Sequence, residues 1–494
     1  MKQRVDSILL ILLPRLQDIV FIVVFVSALL DGAQMLNQDG DLGRDLTMGN
    51  YILVTRQVPS RDLLSYTKVG QTRPPYEWLA QVLFAVAYHW LNLDGVVFLV
   101  ACIIGAAFFM VYREVSRQSQ IPFTALILTL WAAIASSIHW LTRPHVFSFL
   151  FFAIWVSWLE RIRKEEKLQL WFFPALIAIW VNTHGDFIFG ILAWFAYFAG
   201  WLGEYIVKSS KQETGKKFLL IGTSSLLATG ITPDLWHNWD AVLNNRSTYI
   251  IERTAETMPP NFAIPNFWPF AFLMVLAIIL LILNRQKIVL SHAFLLGGLA
   301  VSSLAIARNI PLAAIAAAPI LAVWIRQSAM PKWWSKMETT FSSTDESLRG
   351  YFWPALFILV AIGLLVHHYS NTHSTIYDFN RQIFPVQATD WLETHPMQGN
   401  MFNDFNWGGY LLYRLWPAQS VFIDSQSDFY GESFIRQYSN IYNSNPGWNE
   451  ELSQYKVSWI IVPVNSPIAL AGQQDSNHWK IDYEDKIAII FERR

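Results

Sequence analysis

The stretch Gln38–Thr55 reads QDGDLGRDLTMGNYILVT and lies just beyond the first apolar segment of the chain. Three aspartates, Asp39, Asp41 and Asp45, fall within its first eight residues. If the preceding segment crosses a membrane, these carboxylates lie where lipid meets water. Apolar residues then recur at roughly helical spacing, which predicts a helix over Asp41–Thr55 lying along the membrane surface.

The composition of the whole chain supports a membrane location. Of 494 residues, 53% are hydrophobic and only 15% are charged, whereas a soluble domain carries about a quarter charged residues. The 23 Trp and 34 Phe residues fit aromatic belts at two membrane interfaces. A formal net charge of −1 gives no indication of nucleic-acid binding, and the single cysteine, Cys102, excludes an internal disulfide. We therefore predict a polytopic α-helical membrane protein.

Eleven apolar segments are the predicted spans. They are Asp18–Leu30, Gly95–Val111, Ile121–Ile138, His145–Leu159, Leu168–Val181, Phe187–Tyr205, Phe218–Ile231, Asn266–Leu283, Ile288–Ile306, Pro311–Ile325 and Tyr351–Tyr369. With Glu77–Trp90 kept at the outer surface, every basic cluster between spans faces the cytoplasm, as the positive-inside rule requires. Lys2 and Arg4 then place the N-terminus in the cytoplasm and the C-terminus outside. If Glu77–Trp90 crossed instead, all the clusters would change sides.

Two domains are predicted along the chain. Residues 1–370 form the transmembrane domain, whose first outer loop, 31–94, carries surface helices. Residues 371–494 contain no apolar run of membrane length and alternate short strands with helices, which predicts an extracytoplasmic α/β domain with a partly parallel sheet. The predicted strands are Asn400–Phe402, Ser420–Asp424, Ser458–Pro463 and Ile487–Phe491, and the predicted helices are Ala388–His395, Trp407–Leu415, Ser433–Tyr442 and Glu450–Tyr455.

Polar side chains from separate spans collect at the outer surface. They are Arg143, His145, Asn182, His184, Asp186 and Arg308. Polar groups at or inside span ends are costly to bury and usually mark function. Taken alone, each arginine would equally fit a side chain that reaches lipid headgroups, and the aspartates would fit an ordinary solvated loop. The convergence of acidic, basic and imidazole groups on one face favours a site.

Several motifs together resemble the C-type (GT-C) membrane glycosyltransferases, and more closely the bacterial proteins described as similar to protein mannosyltransferases. In chain order the motifs are Asp39-Gly-Asp41 with Asp45, Val58-Pro59 with Asp62, Glu77-Trp78-Leu79, Arg143-Pro144-His145, Trp180-Val-Asn182-x-His184-Gly185, Arg308-Asn309-x-Pro311, NDFNWGGY over 403–410, and Phe422-Ile-Asp424. Their order over nearly the whole chain, rather than any single motif, makes the resemblance specific. The chain departs from the pattern at Leu42-Gly43, where an aromatic pair is expected, and at Asp45, where histidine is common.

The resemblance implies transfer of a sugar from a polyprenyl-phosphate-linked donor to a glycan or protein acceptor on the extracytoplasmic face of a bacterial inner or plasma membrane. Arg143, Arg308, His145 and His184 would bind the donor phosphate, because negative charge develops on the leaving group. Asp41, or next Asp39, would act as the base for the acceptor hydroxyl, facing the arginines across a cavity. Asp45, Glu77, Asp186 and Asn182 would support the acceptor or the site. Asp39 and Asp41 would also suit a divalent cation, Mg²⁺ or Mn²⁺, bridging to the phosphate.

Two other classes of function stay open. A transporter or channel would explain the many spans, but it predicts ionisable residues near mid-span, whereas here they cluster at outer ends. A non-catalytic scaffold or glycan-binding subunit of an envelope complex is favoured by the missing aromatic pair after Asp41.

Overall fold

The structure is a computed structural model that describes residues 10–207, 210–240, 247–251, 255–328 and 331–494. The chain forms two compact units, each discontinuous in sequence. The first, here called the helical unit, comprises Met1–Asp31, Phe98–Thr232 and Thr254–Ser374. The second, the α/β unit, comprises Gly32–Val97, Pro233–Arg253 and Thr375–Arg494. The predicted division between residues 370 and 371 stays a prediction.

Apolar helices account for most of the helical unit. Within the described ranges, seven helices are long and apolar enough to cross a membrane: Trp78–Ser119, Pro122–His139, His145–Arg163, Phe187–Ile206, Pro265–Leu283, Ala307–Gln327 and Trp353–Thr372. Shorter apolar helices cover Leu16–Leu30 and Leu290–Ala305, and further helices cover Phe172–Trp180, Gln212–Ala228 and Lys332–Ser347. The polytopic helical class is therefore confirmed, while the count of eleven spans stays a prediction.

The helix Ile310–Gln327 lies at the centre of this unit. Nearly all its side chains are buried, and it packs against the helix Pro122–Ser136. Its sequence is rich in alanine, and small side chains let helix backbones approach closely where lipid gives no hydrophobic driving force. Pro319 is accommodated inside this helix, because neighbouring groups in a bundle can satisfy the backbone group that proline frees.

The 42-residue helical stretch Trp78–Ser119 contains a break. Leu91 and Asn92 leave helical geometry, and Asn92 has a positive φ of 53°. The break separates the predicted surface segment Glu77–Trp90 from the predicted span Gly95–Val111. The surface location of the first segment stays a prediction.

The α/β unit contains a four-stranded sheet. The strands are β1 (Asn400–Asn403), β2 (Val457–Pro463), β3 (Trp479–Glu484) and β4 (Ala488–Arg493), in the order β1-β2-β4-β3. β1 and β2 are parallel, while β4 is antiparallel to both β2 and β3. Helices cover Gly32–Asn37, Asp41–Thr55, Thr248–Ile251, Val386–Thr394, Gly408–Leu415, Ser427–Tyr442, Trp448–Gln454 and Pro467–Gln474. A C-terminal α/β region with a partly parallel sheet is confirmed.

The predicted strand Ser420–Asp424 is wrong. Val421 forms only an isolated bridge with Ser65, and the Phe422 amide donates to the side-chain oxygen of Asn403 at 2.8 Å. The Asn403 side-chain amide donates in turn to the Ile423 carbonyl at 2.8 Å. The backbone groups that would have formed a ladder are therefore satisfied by a loop and a side chain.

Glycines bring the helix Asp41–Thr55 against the helix Gly408–Leu415. A Cβ on Gly409 would overlap the backbone carbonyl of Gly40, and a Cβ on Gly43 would overlap that of Gly409. The carbonyl of Asn406 also touches Gly40. The acidic run is thereby held directly against the turn that follows β1.

Candidate active site

A buried acidic cluster surrounds Arg44 in the α/β unit. Residues 41, 44 and 45 share one face of the first helical turn, because side chains three and four positions apart are neighbours. Arg44 Nη1 lies 3.3 Å from Asp41 Oδ1, and Nη2 lies 3.2 Å from Asp45 Oδ1 and 3.9 Å from Glu77 Oε2. Burial opposes the charge on Arg44, but Asp41, Asp45, Asp424 and Glu77 hold its pKa well above the usual value. One guanidinium therefore partly neutralises several carboxylates.

Hydrogen bonds fix the carboxylates of this cluster. The Ser425 hydroxyl donates to Asp41 Oδ1, and the Gln81 amide donates to Asp45 Oδ1 at 3.0 Å. The backbone N–H of Asp41 donates to Asp39 Oδ1 at 3.1 Å. The structure thus brings Asp39, Asp41, Asp45 and Glu77 together, while the roles given to them stay predictions.

A second buried arginine supports the cluster. Arg73 Nη1 lies 2.6 Å from Asp62 Oδ1, and Nη2 lies 3.0 Å from Asp424 Oδ2. Its Nε donates to the side chain of Gln426 at 2.9 Å. Burial opposes its charge, but Asp424, Tyr430 and Asp62 raise the pKa of Arg73. Arg44, Arg73 and Ser425 were not predicted from the sequence, although the position of an arginine between Asp41 and Asp45 is a signal that could have identified the first of them.

Basic residues converge separately in the helical unit. Arg143 Nη1 lies 2.9 Å from Glu256 Oε2, and Arg308 Nη1 lies 3.5 Å from Glu256 Oε1. The His139 ring nitrogen Nε2 lies 3.8 Å from the same carboxylate. The two arginines predicted to bind phosphate are therefore brought together around one anion. Sequence reasoning missed both Glu256 and His139.

Three histidines continue this basic cluster. The rings of His139 and His145 have centroids 4.3 Å apart, and those of His145 and His184 are 6.2 Å apart. His184 Nδ1 lies 3.2 Å from the Ser148 hydroxyl and 3.3 Å from Asp186 Oδ2. His145 Nε2 lies 2.8 Å from the backbone carbonyl of His139, which holds its ring in place.

Two other predicted residues flank the histidines. Burial opposes ionisation of Asp186, but His184, Arg308 and His145 lower its pKa to about 2. The Asn182 side chain donates to the backbone carbonyls of Ala178 and Ile231, both at 2.7 Å. Asn182 therefore ties two chain segments together, in a supporting position. That Asp41 faces Arg143, His184 and Arg308 across a cavity stays a prediction.

A metal would have to be held largely by Asp39 and Asp41. Across the parts of the chain that the structure describes, no group of three or more His, Cys, Asp or Glu side chains is arranged to hold a metal ion. Mg²⁺ is commonly bound by one or two carboxylates together with substrate phosphates, so two aspartates would suffice only with donor oxygens present. Arg44 already pairs with Asp41. The divalent cation stays a prediction.

No protein-family model matches the sequence, and no curated protein matches it. An archaeal oligosaccharyltransferase, AglB from Archaeoglobus fulgidus, solved with an inhibitory peptide and a dolichol-phosphate, is 10% identical with a TM-score of 0.60 over 90% of this chain and 69% of that chain. The A. fulgidus oligosaccharyltransferase tethered with an acceptor peptide containing the NVT sequon is 13% identical, with a TM-score of 0.55 over the same shares. ArnT from Cupriavidus metallidurans in the apo state is 11% identical, with a TM-score of 0.53 over 96% of this chain and 97% of that chain. At such low identity the likeness concerns the fold alone.

Proposed function

We propose, because this chain has the GT-C fold of membrane glycosyltransferases, that it transfers a sugar from a polyprenyl-phosphate-linked donor to an acceptor at the extracytoplasmic face of its membrane. The fold is the one that the resemblance to the GT-C enzymes implied. The observation that carries the proposal is the convergence of Arg143 and Arg308 on the single carboxylate of Glu256. The dolichol-phosphate bound to AglB supports a lipid-linked phosphate as the donor.

Arg143 and Arg308 stabilise the negative charge of Glu256 in the helical unit. A donor phosphate would compete with this carboxylate for the two guanidiniums, since arginine forms strong charge-assisted hydrogen bonds with both groups. In the transfer, the bond between the sugar carbon and the phosphate oxygen breaks, and its electron pair stays on the phosphate. Arg143 and Arg308 would stabilise that developing charge, with His145 and His184 beside them.

Asp41 is the proposed base for the acceptor. The acceptor oxygen forms the new bond to the sugar carbon, and its proton passes to a carboxylate oxygen of Asp41. Asp39 lies beside it and orients it through the Asp41 backbone N–H. Asp45 and Glu77 share Arg44 with Asp41, which fixes its position.

One observation favours a second candidate, a non-catalytic scaffold or glycan-binding subunit of an envelope complex. Asp41 is paired with Arg44 and accepts a hydrogen bond from Ser425. Both interactions stabilise the ionised carboxylate and weaken it as a base. In a scaffold, the pair of Asp41 and Arg44 would only stabilise the fold.

The test is sugar transfer from polyprenyl-phosphate-linked donors by the full chain in reconstituted vesicles. We expect the Asp39→Asn/Asp41→Asn double variant to be slower by about a hundred- to ten-thousand-fold, the usual effect of removing a positioned base. Glu450→Gln, which changes an exposed carboxylate of the same unit, is the matched control and should transfer at the wild-type rate. Unchanged transfer by the double variant would remove the assignment of these aspartates. Absence of transfer by the wild type from every donor tested would favour the scaffold.

A further inference from the structure

A groove opens in the α/β unit at the carboxyl ends of the parallel strands β1 and β2. Asp404 follows β1, and Pro463 ends β2; both line the groove, whose volume is about 620 Å³. Ligands of open α/β sheets commonly bind outside the carboxyl ends of parallel strands, and small-molecule sites measure about 300–1,000 Å³. The groove therefore has both the position and the size of a binding site.

The cavity next to Arg44 has no such room. It is lined by residues that include Arg44, Arg73, Tyr76 and Glu77, and its volume is about 40 Å³. That space suits a water molecule, which needs about 10–15 Å³, but not a sugar ring. An acceptor that reaches the acidic cluster within this unit must occupy a different space.

The groove lies against the acidic run. Asp39 lines it, and the carboxylate of Asp39 also accepts the backbone N–H of Asp41. A ligand in the groove that presents a hydroxyl to Asp39 is therefore next to the proposed base. This position links the groove to the chemistry of the acidic cluster.

Hydrogen-bonding groups dominate the lining. Asn37, Asp404 and Trp407 are buried, and the side chains of Asn37 and Trp407 already form hydrogen bonds within the protein. The lining also holds four exposed side-chain amides: Gln38, Gln382, Asn406 and Asn465. An amide side chain both donates and accepts, as a sugar hydroxyl does. Tyr442 adds an aromatic side chain with a polar end, the type that contacts one apolar and one wet surface.

The charge of the lining disfavours an anionic ligand. The charged residues of the lining are two carboxylates, Asp39 and Asp404, and one lysine, Lys486. Asp404 Oδ1 accepts the Asn406 backbone N–H at 2.8 Å, so its carboxylate is fixed in place. A phosphate or a uronic acid would meet net negative charge, whereas a neutral ligand rich in hydroxyl groups would find donors and acceptors.

We propose that this groove is the acceptor subsite and that the acceptor is a neutral oligosaccharide. The proposal rests on the glycosyl transfer proposed above, and it narrows the acceptor from a glycan or protein to a glycan. A peptide acceptor is the other outcome of the test. Peptides commonly add as a strand along an exposed sheet edge, whereas the groove lies at strand ends.

Binding to the full chain in nanodiscs tests the proposal without any donor. The probes are maltotetraose, chitotetraose, mannotetraose, an oligogalacturonate and an unglycosylated hexapeptide, followed by saturation-transfer NMR. Asn465→Trp places a large side chain at the rim of the groove. Gln473→Trp makes the same change at an exposed position of the helix Pro467–Gln474 that does not line the groove, and is the matched control.

We expect at least one neutral tetrasaccharide to bind, and Asn465→Trp to weaken its affinity about tenfold or more, a change of about 1.4 kcal/mol. Gln473→Trp should bind as the wild type does. Equal affinity in the two variants, binding of the hexapeptide or oligogalacturonate alone, or no tetrasaccharide binding tighter than about 1 mM would overturn the proposal. The binding assay needs no donor, so its result does not depend on the transfer assay. If a tetrasaccharide binds but no sugar is transferred, the result contradicts the proposed glycosyl transfer and leaves the groove as a binding site.

Discussion

Arg44 is buried between Asp41 and Asp45, and the nitrogen that lies close to Asp45 is also 3.9 Å from Glu77 Oε2. Several carboxylates can share this space only because the guanidinium offers several donors in a fixed plane. The pair with Asp41 sets the position of the proposed base and weakens its basicity at the same time. The contacts of Asp41 thus favour a fixed position of its carboxylate over a high basicity.

Replacing Arg44 with methionine should strongly destabilise the α/β unit. The change keeps an unbranched side chain but leaves buried carboxylates uncompensated, which costs about 3–5 kcal/mol. Arg61→Met is the control, because Arg61 lines the same small cavity but is exposed; its loss should cost no more than about 1 kcal/mol. Thermal unfolding in detergent measures both. Equal melting temperatures for the two variants would contradict the role given to Arg44.

Asp186 makes stability depend on pH. Its pKa is about 2 because, although burial opposes ionisation, His184 and Arg308 stabilise the carboxylate. The folded state therefore keeps this group ionised at a lower pH than the unfolded chain does. Its contribution, about 2 kcal/mol at most, is present above about pH 4 and is lost as the pH falls toward 2.

Asp186→Asn should accordingly lower the melting temperature at pH 6, and the difference from wild type should shrink between pH 4 and pH 2.5. Differential scanning fluorimetry across this range measures the difference. Glu450→Gln, at an exposed carboxylate, should show no such trend. A difference that stays constant with pH would show that Asp186 acts through packing rather than through its charge.

At the scale of elements, glycine sets the distance between the helices Asp41–Thr55 and Gly408–Leu415. A Cβ on Gly409 would overlap the backbone carbonyl of Gly40, which no side-chain rotation can relieve. Gly409→Ala should therefore destabilise the protein by about 1–3 kcal/mol, as overpacking does. It should also slow sugar transfer, because the acidic run moves with Gly40.

The control is Gly297→Ala in the helix Leu290–Ala305. A Cβ there meets no atom within 4 Å, so only the helix propensity of alanine changes, which stabilises by up to about 1 kcal/mol. Thermal unfolding of the two variants should give shifts of opposite sign. A Gly409→Ala variant as stable as wild type would show that the two helices can move apart without cost.

Elements with strong local signals were predicted from the sequence. The helix Asp41–Thr55 has the predicted bounds, because its apolar residues repeat at helical spacing. The helix Pro467–Gln474 was missed, although proline at its start and the Ser466 side chain, which accepts the Ala469 N–H, are the usual signals of a helix N-terminus. β3 was missed although its sequence, WKIDYE, alternates apolar and polar residues, which is the usual signal of a half-buried strand.

The candidate site likewise contains residues that could be predicted from the sequence and residues that could not. Asp41 and Asp45 could be grouped from sequence because helical spacing places them on one face. Glu256 could not, since it lies 113 residues from Arg143 and in a long loop without periodicity. Charge pairing between distant segments depends on the tertiary fold, which local patterns do not determine.

At the scale of the whole molecule, burial separates central helices from peripheral ones. In the helix Ala307–Gln327, 83% of an 18-residue apolar stretch is buried, whereas in the helix Trp353–Thr372 only 11% of such a stretch is buried. An exposed apolar helix of 20 residues is suited to lipid contact, since it is long enough to cross the hydrocarbon core. Such a helix would be an aggregation hazard in water. The exposure pattern is thus that of a protein embedded in a bilayer.

Cysteine labelling can measure on which side of the membrane each loop of the helical unit lies. Lys167 and Lys287 belong to basic clusters that the positive-inside rule places in the cytoplasm, while Asn261 lies in the loop predicted to be outside. All three are exposed, so each can be replaced by cysteine with little effect on packing. Cys102, the only native cysteine, is replaced by alanine in the background.

A membrane-impermeant maleimide applied to intact spheroplasts should label Asn261→Cys and neither of the other two. Permeabilised spheroplasts should label all three, which controls for reactivity. Labelling of positions 167 and 261 from the same side would overturn the alternation of spans between them. Labelling of positions 167 and 287, but not 261, in intact spheroplasts would show that the topology is inverted. That result is expected if Glu77–Trp90 crosses the membrane, since all the basic clusters would then change sides.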